Sequence, residues 1–322
     1  MKNDSILPYN VVTSLQQITN IYEMRLFGWV IAKAQSVLKL YNRDLSDINL
    51  HYAMNLVRVT MPARYLLPPG DTNYGNITKA FTLAKKTIPF HWQDVEGETN
   101  IIAFPEYCKK HGQKHITFVI DNRMWLAMLD FSRGYRLVNL QVYMGLRSTY
   151  SVILYMLITQ QTKPITYSVD KLKQITGAST RPAYARTYNF LRKVLDATKK
   201  ELDKCSPWTY TYDVMKSGKA ITSITLHPTP NQDYTPPTDK TAAGMAETVR
   251  GMRSRLDERV IDYLTYSYGM TAAEIEVAER YLSNRTSAEQ QLATLADIRT
   301  EALRARAKNM KGYLINSLRQ RI

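Results

Sequence analysis

Cysteine pairs, long apolar runs and a signal-like amino terminus are all missing from this sequence. Only Cys108 and Cys205 occur among its 322 residues, and two cysteines so far apart make neither a disulfide framework nor a metal-ligand motif. The longest apolar runs, LFGWVIA and VILYMLI, fall far short of the roughly 20 residues that span a bilayer. The opening stretch MKNDSILPYN lacks an apolar core of signal-peptide length. These absences predict a cytoplasmic protein without a membrane anchor.

Signatures of enzymes that act on nucleotides or DNA are missing as well. The single SGK stretch lacks the first glycine of the phosphate-binding loop GxxxxGK(S/T). None of the five histidines forms a pair around one apolar residue, the spacing that an enzyme nicking DNA would need for its metal. His111 and His115 lie four apart in a strand-like segment, whereas that spacing builds a metal pair on a helix. We therefore expect no enzyme activity, no metal and no cofactor.

Basic residues are what the sequence has in excess. Lys and Arg number 43 against 28 Asp and Glu, the formal net charge is +15, and the pI is about 9.6. An apolar content of 44% is typical of a globular rather than a disordered chain. The excess of positive charge predicts a polyanionic partner such as nucleic acid.

Helix and strand patterns follow one another in a definite order in the first half. Apolar residues at helical spacing predict a helix over 20–40, and the alternation of LVRVT predicts a strand over 56–60. A second helix is predicted over 76–88, with inward side chains at Ile77, Ala80, Phe81 and Ala84. Two strands, NIIAFPEYC and HITFVID, then flank the turn KKHGQK.

The second half repeats this order about 110 residues later. It contains a helix over 150–161, a strand over 165–169, a short helix ending at Gly177, a basic helix from about Tyr184 to Lys204, and the strands WTYTYDVM and AITSITL around the turn KSGK. Strand, short helix, basic helix and basic-tipped hairpin is the order of a winged helix-turn-helix. Its repetition predicts two such domains.

The composition changes after the second repeat. Four prolines in HPTPNQDYTPPTDK predict a linker, and the remainder, rich in Ala, Glu, Arg and Leu, predicts helices. The predicted fold class is α+β and mostly helical: two tandem winged helix-turn-helix domains, a proline-rich linker and a helical carboxyl-terminal tail. The expected boundaries are 15–145 and 146–228 for the winged-helix domains, 229–240 for the linker and 241–322 for the tail.

The predicted basic helix ARTYNFLRKVLDATKKEL (185–202) has an apolar stripe along one side and a line of cationic residues along another. The stripe predicts burial of Tyr188, Leu191, Val194, Leu195 and Leu202. In a major-groove helix, Arg and Asn near the start can hydrogen-bond base edges, so the candidates for base reading are Arg181, Arg186 and Asn189. The candidates for phosphate contacts are Arg192, Lys193 and Lys200. The alternative is a solvated surface helix with an Asp196–Lys200 ion pair.

The two hairpins carry further candidates for contacts with DNA. Lys216 and Lys219 lie where the KSGK tip would meet the DNA backbone beside the groove. In the first half the equivalent residues are Lys79, Thr82 and Lys86 on the helix and Lys109, Lys110 and Lys114 at the hairpin tip. Taken together, the two basic faces predict double-stranded DNA as the partner.

Residues 146–228 carry a family resemblance. The stretch STYSVILYMLITQQTKPITYSVDKLKQITG, followed by YARTYNFLRKVLDATKKEL and by the strands around KSGK, resembles the second domain of the initiator (Rep) proteins of theta-replicating, iteron-containing plasmids. The resemblance extends more loosely over 15–145. It implies a recognition helix in the Arg181–Lys200 region, including Tyr184, and a first-domain helix in the region Asn76–Thr87, so that Asn76 and Tyr184 join the candidate DNA-binding residues.

Several functional expectations come from this resemblance alone. It implies two tandem winged helices that bind direct repeats, called iterons, at a plasmid origin and help to open the duplex. It also implies recruitment of the host chromosomal initiator protein and replicative helicase, action at the repeats as a monomer, and a homodimer that represses its own gene. The rival interpretation is a winged-helix transcriptional repressor or partition regulator. A single inverted repeat overlapping a promoter would favour that rival, whereas several direct repeats beside AT-rich DNA would favour the initiator.

Overall fold

The computed structural model describes residues 4–40, 57–68, 70–92, 95–110, 113–129, 134–235, 256–282 and 287–321. The first winged unit begins with an amino-terminal strand and two helices. Its elements are β1 (Asp4–Pro8), α1 (Tyr9–Ser14), a 3-10 turn (Leu15–Gln17), α2 (Ile21–Leu40), β2 (Val57–Pro62), 3-10 segments at Ala63–Leu66 and Tyr74–Lys85, β3 (Thr87–Trp92), β4 (Val95–Asn100), β5 (Ala103–Lys110), β6 (Gln113–Ile120), α3 (Asn122–Leu129), β7 (Tyr135–Asn139) and α4 (Leu140–Gly145).

The second winged unit is shorter and has the predicted order. Its elements are α5 (Thr149–Ile158), β8 (Ile165–Ser168), α6 (Val169–Ile175), a 3-10 turn (Pro182–Tyr184), α7 (Thr187–Phe190), a π-helical segment (Leu191–Asp196), α8 (Ala197–Cys205), β9 (Trp208–Ser217) and β10 (Ala220–Pro230). Ser148 and Ser168 begin α5 and α6 by accepting a backbone N–H with their hydroxyls, as residues at helix starts commonly do. Strand β10 continues two residues beyond the expected boundary at 228.

The two sheets have the same topology. Strand order is β2-β6-β5 in the first unit and β8-β10-β9 in the second, so in each unit the early strand pairs with the later strand of the hairpin. A threonine pair joins those two strands in both sheets: Thr60 with Thr117, and Thr166 with Thr225, each with hydroxyl oxygens 2.9 Å apart. The prediction of two tandem winged-helix domains is confirmed.

The predicted helix over 76–88 is wrong in its type and its end. Residues Tyr74–Lys85 form a 3-10 helix, and strand β3 begins at Thr87. A 3-10 helix has three residues per turn, so Ile77, Ala80 and Leu83 are fully buried on one line. The predicted inward positions Phe81 and Ala84, chosen for a period of 3.6, are only partly buried. The hairpin β3–β4, which follows directly, was also missing from the prediction.

A buried arginine ties the first unit to the helix that leads into the second. Arg25 is 3% exposed, and its guanidinium donates to the carbonyl oxygens of Met144, at the end of α4, and of Tyr65. The neighbouring Tyr143 hydroxyl donates to the Met24 carbonyl oxygen at 2.6 Å. A Cβ on Gly28 would lie 2.3 Å from a ring carbon of Tyr143, so only glycine fits where α2 meets that ring.

The described part of the tail is a separate helical bundle. It contains α9 (Glu258–Tyr268), α10 (Ala272–Leu282), α11 (Ala288–Arg304) and α12 (Met310–Gln320). Its apolar side chains form a cluster of their own, distinct from the one that the winged units share. Helix α11 begins at a capping box of Ser287 and Gln290. The helical prediction is confirmed for these residues, while 241–255 and residues 236–240 of the expected linker lie outside the described residues.

Candidate nucleic-acid interface

The basic segment forms one continuous helix from Thr187 to Cys205, with a π-helical segment in its middle. We call this helix, together with its N-cap residue Arg186, the recognition helix. Its inner side, Phe190, Val194, Leu195 and Leu202, is fully buried in the core. Tyr188, by contrast, is 67% exposed, so its predicted burial was wrong. The wider π turn shifts the phase between the first turn and Leu195, which turns Tyr188 outward.

Four cations on the recognition helix face solvent. Arg186, Arg192, Lys193 and Lys200 are exposed and have no ion-pair partner within the described part of the chain. The Asp196–Lys200 ion pair expected for a solvated helix does not form, because Asp196 instead accepts a hydrogen bond from the Tyr212 hydroxyl at 2.8 Å. These four cations are therefore free to meet an anion.

The second hairpin adds two cations beside the helix. Lys216 and Lys219 are exposed on either side of Gly218, which makes the turn with φ +61°. Met215, which precedes Lys216 on β9, is 64% exposed. Residues 146–228 carry thirteen Lys and Arg against five Asp and Glu, whereas residues 256–322 carry ten against nine. Residues 146–228 therefore have a formal net charge of +8, against +1 for residues 256–322.

Three candidates near the start of the recognition helix make contacts inside the protein. The Arg181 guanidinium donates to the Thr19 carbonyl oxygen at 2.8 Å and lies over the Tyr150 ring at 5.5 Å. Tyr184 packs edge-on against the same Tyr150 ring. The Asn189 amide donates to the Ala183 carbonyl oxygen at 3.2 Å. These three side chains therefore make contacts within the protein, whereas the four cations named above have no ion-pair partner among the described residues.

Two candidates of the first unit are tied to a buried glutamate. Glu23 is fully buried and accepts hydrogen bonds from the Lys86 ammonium at 2.7 Å and from the Thr82 hydroxyl. Burial by itself raises the pKa of Glu23, but the hydrogen bonds from Lys86, Thr82 and Thr19 outweigh it and hold this pKa below its ordinary value. Lys86 keeps only 15% of its side chain exposed, so its predicted role on a DNA-binding face conflicts with the structure.

The other first-unit candidates remain near the surface. Lys79 is exposed on the 3-10 helix, and Asn76 is half-buried there. Lys109 and Lys114 are both exposed and face each other across β5 and β6, and the Lys114 ammonium lies 4.4 Å from the centre of the Tyr74 ring. Lys110 pairs with Gln113 in the ladder, while the turn residues 111 and 112 lie outside the described part.

Comparison with protein-family models finds two matches. Residues 9–159 match the model described as Initiator Replication protein, WH1, and residues 168–228 match the one described as Initiator Rep protein, WH2. The chain belongs to the initiator Rep protein family of plasmid replication. The two matches leave the tail of this Rep protein uncovered, and the first of them extends through α5. No curated protein matches the chain.

Two features of the Rep protein's candidate interface escaped sequence reasoning. Tyr188 lies on the apolar stripe and is therefore predicted to be buried, because no local sequence pattern indicates the π-helical segment that exposes it. In the sequence, Glu23 is an ordinary acidic residue in the first turn of α2, because its partner Lys86 lies 63 residues away. The Asn20-to-Glu23 spacing, in which each side chain bonds the other's backbone N–H, is a capping-box signal that could have suggested an ordered carboxylate.

Within the described ranges, no group of three or more His, Cys, Asp or Glu is arranged to hold a metal ion. No helix among those same residues is both long and apolar enough to cross a membrane.

Proposed function

We propose that this Rep protein starts plasmid replication by binding direct repeats, or iterons, in the double-stranded DNA of its origin. One observation carries the proposal: Arg186, Arg192, Lys193 and Lys200 lie exposed and unpaired on the recognition helix. A helix of this kind fits the major groove, and a row of free cations is what the phosphates beside the groove require.

The position of each cation suggests its role. Arg186 precedes the first turn of the recognition helix, where side chains reach base edges, and Arg can bond guanine through two hydrogen bonds. Arg192, Lys193 and Lys200 lie further along and would bind phosphates, as would Lys216 and Lys219 on the hairpin. Phosphate contacts fix the register of the helix and base contacts supply the sequence preference.

The first winged unit would make a second, weaker set of contacts. Exposed lysines of this unit include Lys79 and Lys109, and Lys114 lies over Tyr74. Monomers on adjacent repeats would strain a neighbouring AT-rich stretch by bending it, and the strained duplex would open without a catalytic step. We further propose that the protein acts in the cytoplasm and recruits the host chromosomal initiator and replicative helicase, and that a homodimer represses its own gene.

A gel-shift titration across a salt series tests the proposal. Full-length protein is titrated against repeat-bearing origin DNA and against scrambled DNA. Laddered complexes on the repeats, about a thousandfold tighter than on scrambled DNA and steeply salt-dependent, are the expected result. Equal affinity for both DNAs would overturn the proposal, and preference for a single inverted repeat over direct repeats would favour a repressor or partition regulator instead.

A single substitution and its control sharpen the same experiment. Arg186→Ala should lower affinity for the repeats while leaving affinity for scrambled DNA nearly unchanged, because it removes a base contact. Arg304→Ala removes an exposed arginine from the tail bundle and should leave both affinities unchanged. Equal losses from both substitutions would mean that only net charge matters.

A further inference from the structure

The turn that precedes the recognition helix touches the first winged unit. Arg181 lies in this turn, and its Nη2 atom donates to the Thr19 carbonyl oxygen at 2.8 Å across 162 residues of sequence. The guanidinium also lies over the Tyr150 ring at 5.5 Å. A guanidinium can donate a directed hydrogen bond and lie over an aromatic ring at once, and its planar, multi-donor head differs in shape from the compact ammonium of lysine.

The first unit holds Thr19 in place from its other side. Glu23 accepts the Thr19 backbone N–H at 2.8 Å and the Thr19 hydroxyl at 3.2 Å. The same carboxylate accepts from Lys86 and Thr82. A chain of hydrogen bonds therefore runs from Arg181, through Thr19 and Glu23, to the 3-10 helix that carries Lys79.

The second unit holds the Arg181 turn equally firmly. Tyr184, three residues on, packs edge-on against Tyr150 with ring centres 5.7 Å apart. The Asn189 amide, from the first turn of the recognition helix, donates to the Ala183 carbonyl oxygen. The turn is thus tied to the recognition helix, and a displacement of that helix relative to the first unit would strain the exposed hydrogen bond between Arg181 and Thr19.

We propose that Arg181 is a positioning residue rather than a base-reading one: it fixes the recognition helix relative to the first unit's 3-10 helix, and so sets the spacing on DNA at which both can bind. The inference rests on the proposed binding to origin repeats. Two linked modules bind together only when their geometry matches that of the target. Each inserted base pair moves one contact site by roughly 3.4 Å and rotates it by about 35°.

The test is a spacing profile measured on full-length protein. Footprinting first assigns the part of one repeat that each unit protects, and one to four base pairs are then inserted between these parts. Wild-type affinity should fall about tenfold or more on the first insertions, because one unit must then release the DNA. Arg181→Gln should bind the native spacing more weakly and vary less than about threefold across the insertions. Arg181→Lys keeps a charged donor and should therefore stay closer to the wild-type profile than Arg181→Gln does.

A contact variant supplies the control. Arg192→Gln removes an expected phosphate contact and should weaken binding by the same factor at every spacing, which keeps the wild-type profile. If Arg181→Gln keeps the wild-type profile, as Arg192→Gln should, the positioning role is overturned. A flat wild-type profile overturns it too. Failure of the wild-type protein to prefer the repeats at all would instead overturn the proposed function.

Discussion

The two winged units share a sheet but present different surfaces. Both have three strands in the same order and the same cross-strand threonine pair. In the second unit, the helix before the hairpin spans Thr187–Cys205, and its exposed cations include Arg192, Lys193 and Lys200, with Arg186 immediately before it. In the first unit the equivalent element is a 3-10 helix, and the lysine that follows it, Lys86, is paired with a buried glutamate. A basic residue counted in a sequence is thus not always a basic residue on the surface.

The largest expected effect comes from removing three cations from each unit in turn. Arg186→Ala, Arg192→Ala and Lys193→Ala together should weaken binding to the repeats about a thousandfold, because a base contact and two phosphate contacts are lost. The first-unit triple, Lys79→Ala, Lys109→Ala and Lys114→Ala, should cost only about tenfold. Gel-shift titration at fixed salt measures both.

The tail offers a control with the same change in charge. Arg304, Arg306 and Lys308 are exposed, and replacing all three by Ala should change affinity less than about twofold if binding is local to the winged units. Equal losses from the two winged-unit triples would remove the asymmetry argued above.

The next largest effect is expected on stability, from the buried ion pair of Glu23 and Lys86 in the first unit. Glu23→Gln should lower the free energy of unfolding by about 3 kcal/mol, because it leaves the Lys86 ammonium poorly compensated. The pKa of Glu23 is lowered in the folded state, so its stabilising effect is present above its unfolded-state pKa of about 4.3 and is lost as the pH falls through the folded value. Urea unfolding at pH 7 and below pH 4 should show the difference shrinking in acid.

An ion pair of the second unit provides the comparison. Lys199 and Asp203 form an i,i+4 pair at 2.6 Å with both side chains more than a third exposed. Lys199→Gln should therefore cost less than about 1 kcal/mol, since solvent screens such pairs. A cost similar to that of Glu23→Gln would show that burial does not separate the two pairs.

Tyr188 tests the outward face of the recognition helix. Because it is 67% exposed, Tyr188→Ala should change stability by less than about 0.5 kcal/mol, yet weaken repeat binding by about fivefold through lost apolar contact in the groove. Thermal unfolding and gel shifts measure the two effects. A large loss of stability with unchanged DNA affinity would return Tyr188 to the core, where its sequence pattern had assigned it.

The smallest expected effect is on DNA affinity, and it should distinguish Lys79 from Lys86 in the first unit. Lys79→Gln should weaken DNA binding about threefold, as the loss of one phosphate contact does at moderate salt. Lys86→Gln should leave DNA affinity unchanged and lower stability instead, because its ammonium is bound to Glu23. DNA affinity and stability, measured on both variants, decide which lysine contacts DNA. Weaker DNA binding by Lys86→Gln with unchanged stability would show that the sequence-based assignment of Lys86 was correct.

The sequence by itself determined the order of elements in the second winged unit, the duplication and the excess of positive charge. These follow from local signals: the apolar run of α5, the capping serines at 148 and 168, and the glycine turn in KSGK all lie within or next to the elements that they specify. Composition also predicted the tail helices, because Ala, Glu, Arg and Leu, in which the tail is rich, have high intrinsic helix propensity.

Only the tertiary structure decided which polar side chains are free. Lys86 and Glu23 are 63 residues apart, and Arg181 and Thr19 are 162 apart, so no local pattern encodes either contact. The π turn that exposes Tyr188 and the 3-10 helix that buries Leu83 also depend on packing against distant elements, which overrides the 3.6-residue period assumed from sequence. The cations left over from these contacts, rather than the total charge, define the candidate interface.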